Sequence, residues 1–234
     1  MKKTHFDQLR SHMPHLDNIT LLDLGSGRGD FLIEATKKGL DVIGLEKSEE
    51  YIQITKEKAA RENVSIKVIS GVGEKMPFDN NSFDFINMAE VIEHVESPLS
   101  VLKEVHRVLK PNARAYMSVP NRFGIYDPHF HLYFVNWLPR SLCNLYISFF
   151  KKHKNYESKT TGHQNLREMH YYTRGQISRL VKSLGFSIKD GREKKIANKY
   201  PHKLLLTPAL IAYRLISIVH PSTFHFLIKK ESVE

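Results

Sequence analysis

The chain has 234 residues, 41% of them hydrophobic, and 35 lysines and arginines against 25 acids give a formal net charge of +10. That length suits one sizeable α/β domain with an elaboration and would cramp two full domains. The single cysteine, Cys143, excludes an internal disulfide and fits a reducing compartment, while the excess of base favours nucleic acid, an anionic membrane surface or a phosphorylated substrate as partner.

Residues 1–18 carry His5, Phe6, Met13 and His15 among polar neighbours and read as an arm before the first strand. The opening Met1, Lys2, Lys3 has no apolar signal core, so a cytoplasmic location is expected. Residues 19–24 have the length and apolarity of a buried strand. Gly25, Gly27 and Gly29 follow, and a helix is expected from residue 30 to 38, stopped by Gly39. Glycines at a strand-to-helix turn let a ligand approach main-chain N–H groups. Their spacing narrows the ligand. The dinucleotide fingerprint needs a glycine where Asp30 stands, and a phosphate-binding P-loop needs a Gly-Lys-Ser/Thr that is absent. Asp23, two residues before Gly25, would repel a pyrophosphate and suits a cationic ligand.

Leu21, Leu22, Asp23, Leu24, Gly25, Ser26, Gly27, Arg28 and Gly29 resemble the first motif, hh(D/E)hGxGxG, of the class I S-adenosylmethionine (SAM)-dependent methyltransferases. The resemblance implies a Rossmann-like α/β fold, a mostly parallel sheet with helices on both faces, with SAM held by Asp23, Gly25, Ser26 and Gly27. Residues 41–46 read as the second strand. An acid at its end, Glu46, can accept both ribose hydroxyls, a role the resemblance implies for it beside Lys47. A helix over 48–62 and a strand over 64–69 follow. Residues 71–86 then resemble the family's GDAExLPFxDxSFDxV segment. Val72 replaces the acid that commonly receives the adenine amino group, so base recognition is expected from main chain around Gly73 and from Glu74.

Residues 83–88 read as the fourth strand, with Asn87 and Met88 expected to line the methionine end of SAM. His94 is the first general-base candidate, since a neutral imidazole can take a proton from a hydroxyl as it is methylated. Glu90, Glu93 and His94 form an E-x-x-E-H pattern. At helical spacing these share a face and could bind a divalent cation. Small-RNA 2′-O-methyltransferases and some quinone-pathway O-methyltransferases carry a similar pattern, with His163 or His170 here as a further ligand. A metal is nevertheless not the favoured reading. Ser97 and Pro98 open a helix. Glu104 and the stretch 107–111 resemble the family's architectural E..RVLKPGG segment, followed by a strand over 113–119.

Residues 121–170 are expected to be an α-rich substrate cap, because inserts at the carboxyl ends of strands sit over the ligand crevice. They resemble the corresponding stretch of bacterial methyltransferases of the polysaccharide and lipid type. That makes His129, His131, Asp127 and Arg122 substrate-contact or base candidates. Residues 142–150 and 204–219 are apolar segments beside basic ones. Proline and arginine interrupt both, so neither spans a membrane, but either could lie on an anionic bilayer instead of in a core. The stretch 167–173 resembles the element before the family's last core helix, expected over 173–184, with a strand over 186–190. A closing seventh strand is not evident.

The expected organisation is therefore an arm at 1–18, a SAM-binding domain at 19–190 with its cap at 121–170, and a basic, apolar C-terminal extension at 191–234. The expected activity is methyl transfer to an oxygen of a small, glycan or lipid-linked acceptor. An RNA 2′-O-methyltransferase with a divalent metal and a non-catalytic SAM-binding protein are the alternatives.

Overall fold

A computed structural model of the chain describes residues 19–151, 165–200 and 203–232. The expected arm at 1–18, with His163, lies outside them. Five strands and three helices follow in the expected order, with a loop in place of a helix between the third and fourth strands: β1 (Thr20–Leu24), α1 (Asp30–Lys37), β2 (Asp41–Glu46), α2 (Glu49–Arg61), β3 (Lys67–Ser70), β4 (Phe83–Met88), α3 (Pro98–Val108) and β5 (Leu109–Pro120). The third strand begins later, and the fifth earlier, than apolarity suggested. Beyond the insert come α5 (Arg174–Ser183), β8 (Phe186–Asp190), α6 (Gly191–Lys199), α7 (Lys203–Ile216) and β9 (Thr223–Lys230). The insert itself contributes a ribbon of β6 (Tyr126–Asp127) and β7 (Leu132–Tyr133), a 3-10 turn at Val135–Trp137 and α4 (Arg140–Phe149).

One seven-stranded sheet runs in the order β3-β2-β1-β4-β5-β9-β8, parallel except for β9, which is antiparallel to both neighbours. The side chains of a strand alternate between faces, and both faces here are covered. Leu22, Ile86, Ala115 and Met117 point to one layer, where they meet Val101, Leu102 and Val105 of α3 and Ile177 and Val181 of α5. Leu21, Phe85 and Tyr116 point to the other, against Phe31, Leu32 and Ala35 of α1.

The helices begin where their caps dictate. Ser48 accepts the Tyr51 N–H, Ser97 that of Ser100 with Pro98 behind it, and Thr173 with Gln176 makes a reciprocal box. The extension drawn from residue 191 is corrected by β9, an inner strand of the main sheet. The insert is partly helical and holds a small core of its own, in which Phe130, Leu132, Val135, Cys143, Ile147 and Tyr171 are buried. Cys143 is an inert core thiol, its pKa raised by burial.

Candidate functional site

At the carboxyl ends of β1 and β2 the glycine loop is shaped for close approach. Gly25, Gly27 and Gly29 all take positive φ, at 66°, 54° and 76°. Gly29 has a second reason to lack a side chain, since a Cβ there would lie 2.3 Å from Thr55 Cγ2. Thr55, wholly buried, donates its hydroxyl to Gly27 O at 3.1 Å. The N–H groups of Gly25 and Ser26 donate to Leu45 O, at 2.8 and 3.2 Å, so the loop is tied to β2.

Two buried carboxylates face this loop. Glu46 accepts the Gly27 N–H on Oε2 and the Ser48 N–H on Oε1, both at 2.9 Å, which fixes its orientation while each oxygen keeps a further lone pair. Asp23 Oδ1 accepts the Asn87 side-chain amide from β4 at 2.8 Å. Burial pushes the Asp23 carboxyl up to about 7, the Asn87 hydrogen bond opposing and the Glu46 charge adding to the rise. Asp23 Oδ2 and Ser26 Oγ are buried with no hydrogen-bond partner among the described residues. Unsatisfied polar atoms of this kind are costly, and here they border a cradle that only glycines permit. A ligand bearing a cation and hydroxyls fits that donor set.

Other expected cofactor contacts fare unevenly. Asn87 belongs to the site through Asp23. The Met88 side chain is wholly buried in the core layer and does not line the crevice. Glu74 Oε1 accepts the N–H groups of Glu96 and Ser97, at 3.0 and 3.4 Å, and so serves the entry to α3. Gly73 packs on Val101, Val72 is exposed, and Lys47 is exposed beside Glu46.

The E-x-x-E-H stretch is a run of turns, not a helix. Glu90 takes a φ of 56° and its N–H donates to Ser118 Oγ, which turns the chain away from helical geometry. Glu90 therefore does not join Glu93 and His94. The insert supplies a different partner: ligand atoms of Glu93, His94 and His129 all lie within 4.8 Å of one another. The His94 and His129 rings meet edge to face with centroids 5.2 Å apart. His170 enters only through its main chain, donating to Glu93 O at 3.0 Å.

Behind His129 stands a buried chain of hydrogen bonds that fixes its proton. Asp127, fully buried, accepts the His129 and Phe130 N–H groups on Oδ1 at 2.9 and 2.8 Å, and the Tyr171 hydroxyl on Oδ2 at 2.8 Å. Burial, then the Asp127 charge, holds the Tyr171 phenol well above its usual pKa, so it keeps the proton it donates. Its oxygen is then the acceptor for His129 Nδ1 at 2.8 Å, and Nε2 faces Glu93 Oε1 at 3.6 Å. His131, by contrast, is exposed and bonded to Tyr126, apart from this group. Arg122 donates to Asn136 O within the insert, a structural duty. Tyr171 was invisible as a site residue in sequence, where it read as part of the element before α5.

Residues 22–117 match the family model described as "Methyltransferase domain". Those residues form a methyltransferase domain. Among curated relatives it is 35% identical over 133 residues to a demethylmenaquinone methyltransferase of Lactococcus lactis, covering 54% of this chain and 53% of that one. It is 30% identical over 157 residues to a ubiquinone biosynthesis O-methyltransferase of Bartonella tribocorum, covering 64% and 62%. The chain thus spans little more than half the length of these relatives. A SAM-dependent methyltransferase structure from Mesorhizobium loti shares the methyltransferase fold at a TM-score of 0.61 and 17% identity, covering 97% of this chain and 98% of that one. A Haemonchus contortus phosphoethanolamine N-methyltransferase, solved with phosphomonomethylethanolamine and S-adenosylhomocysteine, does so at 0.61 and 15%, covering 96% and 51%.

Proposed function

We propose that this protein is a SAM-dependent methyltransferase acting on an oxygen of a small or lipid-linked acceptor. The observation that carries the reading is the pair of buried carboxylates, Asp23 and Glu46, set around three left-handed glycines with Asp23 Oδ2 unsatisfied. Asp23 would face the cationic end of SAM and Glu46 the ribose. When bound, SAM supplies a methyl group already activated on a sulfonium. The chain's own task is then to place the acceptor and take up its proton. His94, half-buried on the loop after β4, is the base, and His129 packs against it from the cap. The relatives named for quinone biosynthesis, C- and O-methyltransferases among them, support a small ring acceptor.

Thermal unfolding with S-adenosylhomocysteine, NADH, NADPH and ATP in parallel tests the cofactor. At about 100 times its dissociation constant, S-adenosylhomocysteine should raise the midpoint by roughly 5–10 °C, the others by nothing, and Glu46→Ala should abolish the rise. In assays on a panel of phenolic and catecholic acceptors, His94→Asn should cost about 10²–10⁴ in turnover with the midpoint shift retained. Stabilisation by NADH alone would defeat the proposal.

The clustering of Glu93, His94 and His129 favours a second reading of the same centre, in which these three hold a divalent cation that orients the acceptor. With Nδ1 directed at the Tyr171 oxygen, Nε2 is the His129 ring atom turned toward Glu93 Oε1 and the one a cation shared with that carboxylate would take. Two imidazoles and one carboxylate suit zinc, manganese or iron better than magnesium. Metal content after purification, before and after dialysis against a chelator, separates the readings. Absence of stoichiometric metal together with chelator-insensitive activity leaves His94 as the base.

A further inference from the structure

We infer that the outer face of the cap and helix α7 together form a docking surface for an anionic lipid bilayer. The case begins with two helices that are apolar where they should be polar. In α4, Cys143 and Ile147 fill the cap's core, yet Leu142, Leu145 and Phe149, at positions i, i+3 and i+7, are 49%, 71% and 79% exposed. In α7, Ile211 and Leu215, at i and i+4, are a second exposed apolar pair, and Leu205 is exposed nearer the start of the helix. A helix apolar on both faces expects an apolar surrounding on both.

Hydrogen bonds hold the two apolar sets on one structure. Asn121, at the start of the cap, donates its amide to Ser217 O, Ile218 O and Pro221 O just beyond α7, and the Ile125 N–H donates to Val219 O. The cap also exposes aromatics. Phe134 and Trp137, each 52% exposed, meet edge to face at 5.7 Å, and Trp137 Nε1 donates to Phe123 O at 2.9 Å. An exposed tryptophan and phenylalanine suit the boundary between headgroups and acyl chains.

Charge selects the occupant. Residues 121–150 contain one acid, Asp127, which is fully buried, and residues 203–222 contain none. The cations at their margins are exposed Lys151, with Lys152 and Lys154 next in sequence, and Arg214 on α7, which pairs with Glu193 at 2.9 Å. Apolar segments that carry no exposed carboxylate of their own and are edged by cations match an anionic bilayer, with lysines at the headgroups. No helix among the described residues is long and apolar enough to cross a membrane, so the contact is in-plane. The inference is independent of the methyl-transfer reading.

Trp137 is the chain's sole tryptophan and stands on this face, so its fluorescence reports docking directly. The full chain is titrated with vesicles of phosphatidylcholine alone and with phosphatidylglycerol added. A blue shift that needs phosphatidylglycerol, quenching by lipids brominated high on the acyl chain, and weakening by salt are expected. Leu145→Glu with Phe149→Glu, and separately Ile211→Glu with Leu215→Glu, should each weaken vesicle binding by roughly tenfold or more. All four positions are exposed, so unchanged circular dichroism and unfolding midpoint confirm that each variant is folded. No shift with either vesicle, or binding that both variants leave intact, would overturn the inference. So would a blue shift that follows protein concentration without lipid and accompanies a doubled hydrodynamic mass, which would make a second copy the occupant.

Discussion

An ionised Asp23 puts its negative charge in a place that resists it, and the consequence is measurable. Its pKa, pushed up to about 7 chiefly by burial, means the folded state holds a proton that the unfolded chain releases near 4. Stability from this group is fully present below about pH 4 and is lost as pH rises through 7, by up to about 4 kcal/mol. Asp23→Asn should flatten that fall, so that the ligand-free variant melts higher than the parent at pH 8. The same substitution should abolish S-adenosylhomocysteine binding, since the charge that destabilises the free protein is the one a cationic ligand requires. For the parent, affinity for SAM should rise with pH through about 7, read by calorimetry between pH 5.5 and 8.5. A pH-independent affinity would show that Asp23 is already ionised when the ligand arrives. At the neighbouring Gly29, strain and collision coincide. Gly29→Ala should cost about 2–4 kcal/mol, with Thr55→Ala recovering only the part due to contact, because φ stays at 76°. Asp23, Glu46 and the three glycines were legible in the sequence because main-chain geometry and charge dictate residue type there. Tyr171 was not, because its role depends on Asp127 and His129, which are distant in sequence and meet only when the insert folds back.

Between residue and fold, elements are held by a few polar clamps. Arg107, on α3, donates to both oxygens of Glu104, to Phe78 O and to Met76 O at 2.7–3.0 Å, while Glu104 Oε2 also accepts the Met76 N–H. One side chain thereby pins the loop that leads from β3 into β4. Arg107→Ala should destabilise by about 2–3 kcal/mol and raise hydrogen exchange across residues 74–80 before the rest of the chain opens. Arg107→Lys should rescue little, since an ammonium cannot span three acceptors as the planar guanidinium does. The architectural reading of this stretch from sequence carries over to the structure. The E-x-x-E-H stretch shows the opposite case. Its spacing suggested a helical face, but periodicity over five residues cannot outweigh the capping signal of Ser97 and Pro98, which starts the helix later. With Glu90 at positive φ, the metal-type cluster is completed by the cap instead. Spacing singled out Glu93 and His94 there; only tertiary structure brings His129 to them.

Across the whole molecule, the decisive strand is the one that the sequence concealed. β9 lies between β5 and β8 and pairs with each over several residues, and Phe224, Phe226 and Ile228 alternate into the main core. Its pattern was masked by the apolar helix before it and by the lysines that end it, which together looked like a basic tail. Those lysines have fold duties: Lys230 Nζ donates to Leu109 O and Asn81 Oδ1, and the Glu231 N–H donates to Gly185 O. A chain ending at residue 220 would leave β5 and β8 as unpaired edges with a gap between them and would strip three side chains from the core. It should not fold cooperatively, although every residue of the glycine loop, Glu46 and the His94–His129 pair remains. Circular dichroism and a melt distinguish this from a dispensable extension, which would leave the transition intact. Because a truncation can fail by aggregation alone, Phe226→Ala supplies the quantitative counterpart. It should cost about 3–5 kcal/mol, lowering the midpoint by roughly 6–20 °C for a domain of this size. If the variant instead melts with the parent, the sheet closes without β9 and the methyltransferase domain ends before it.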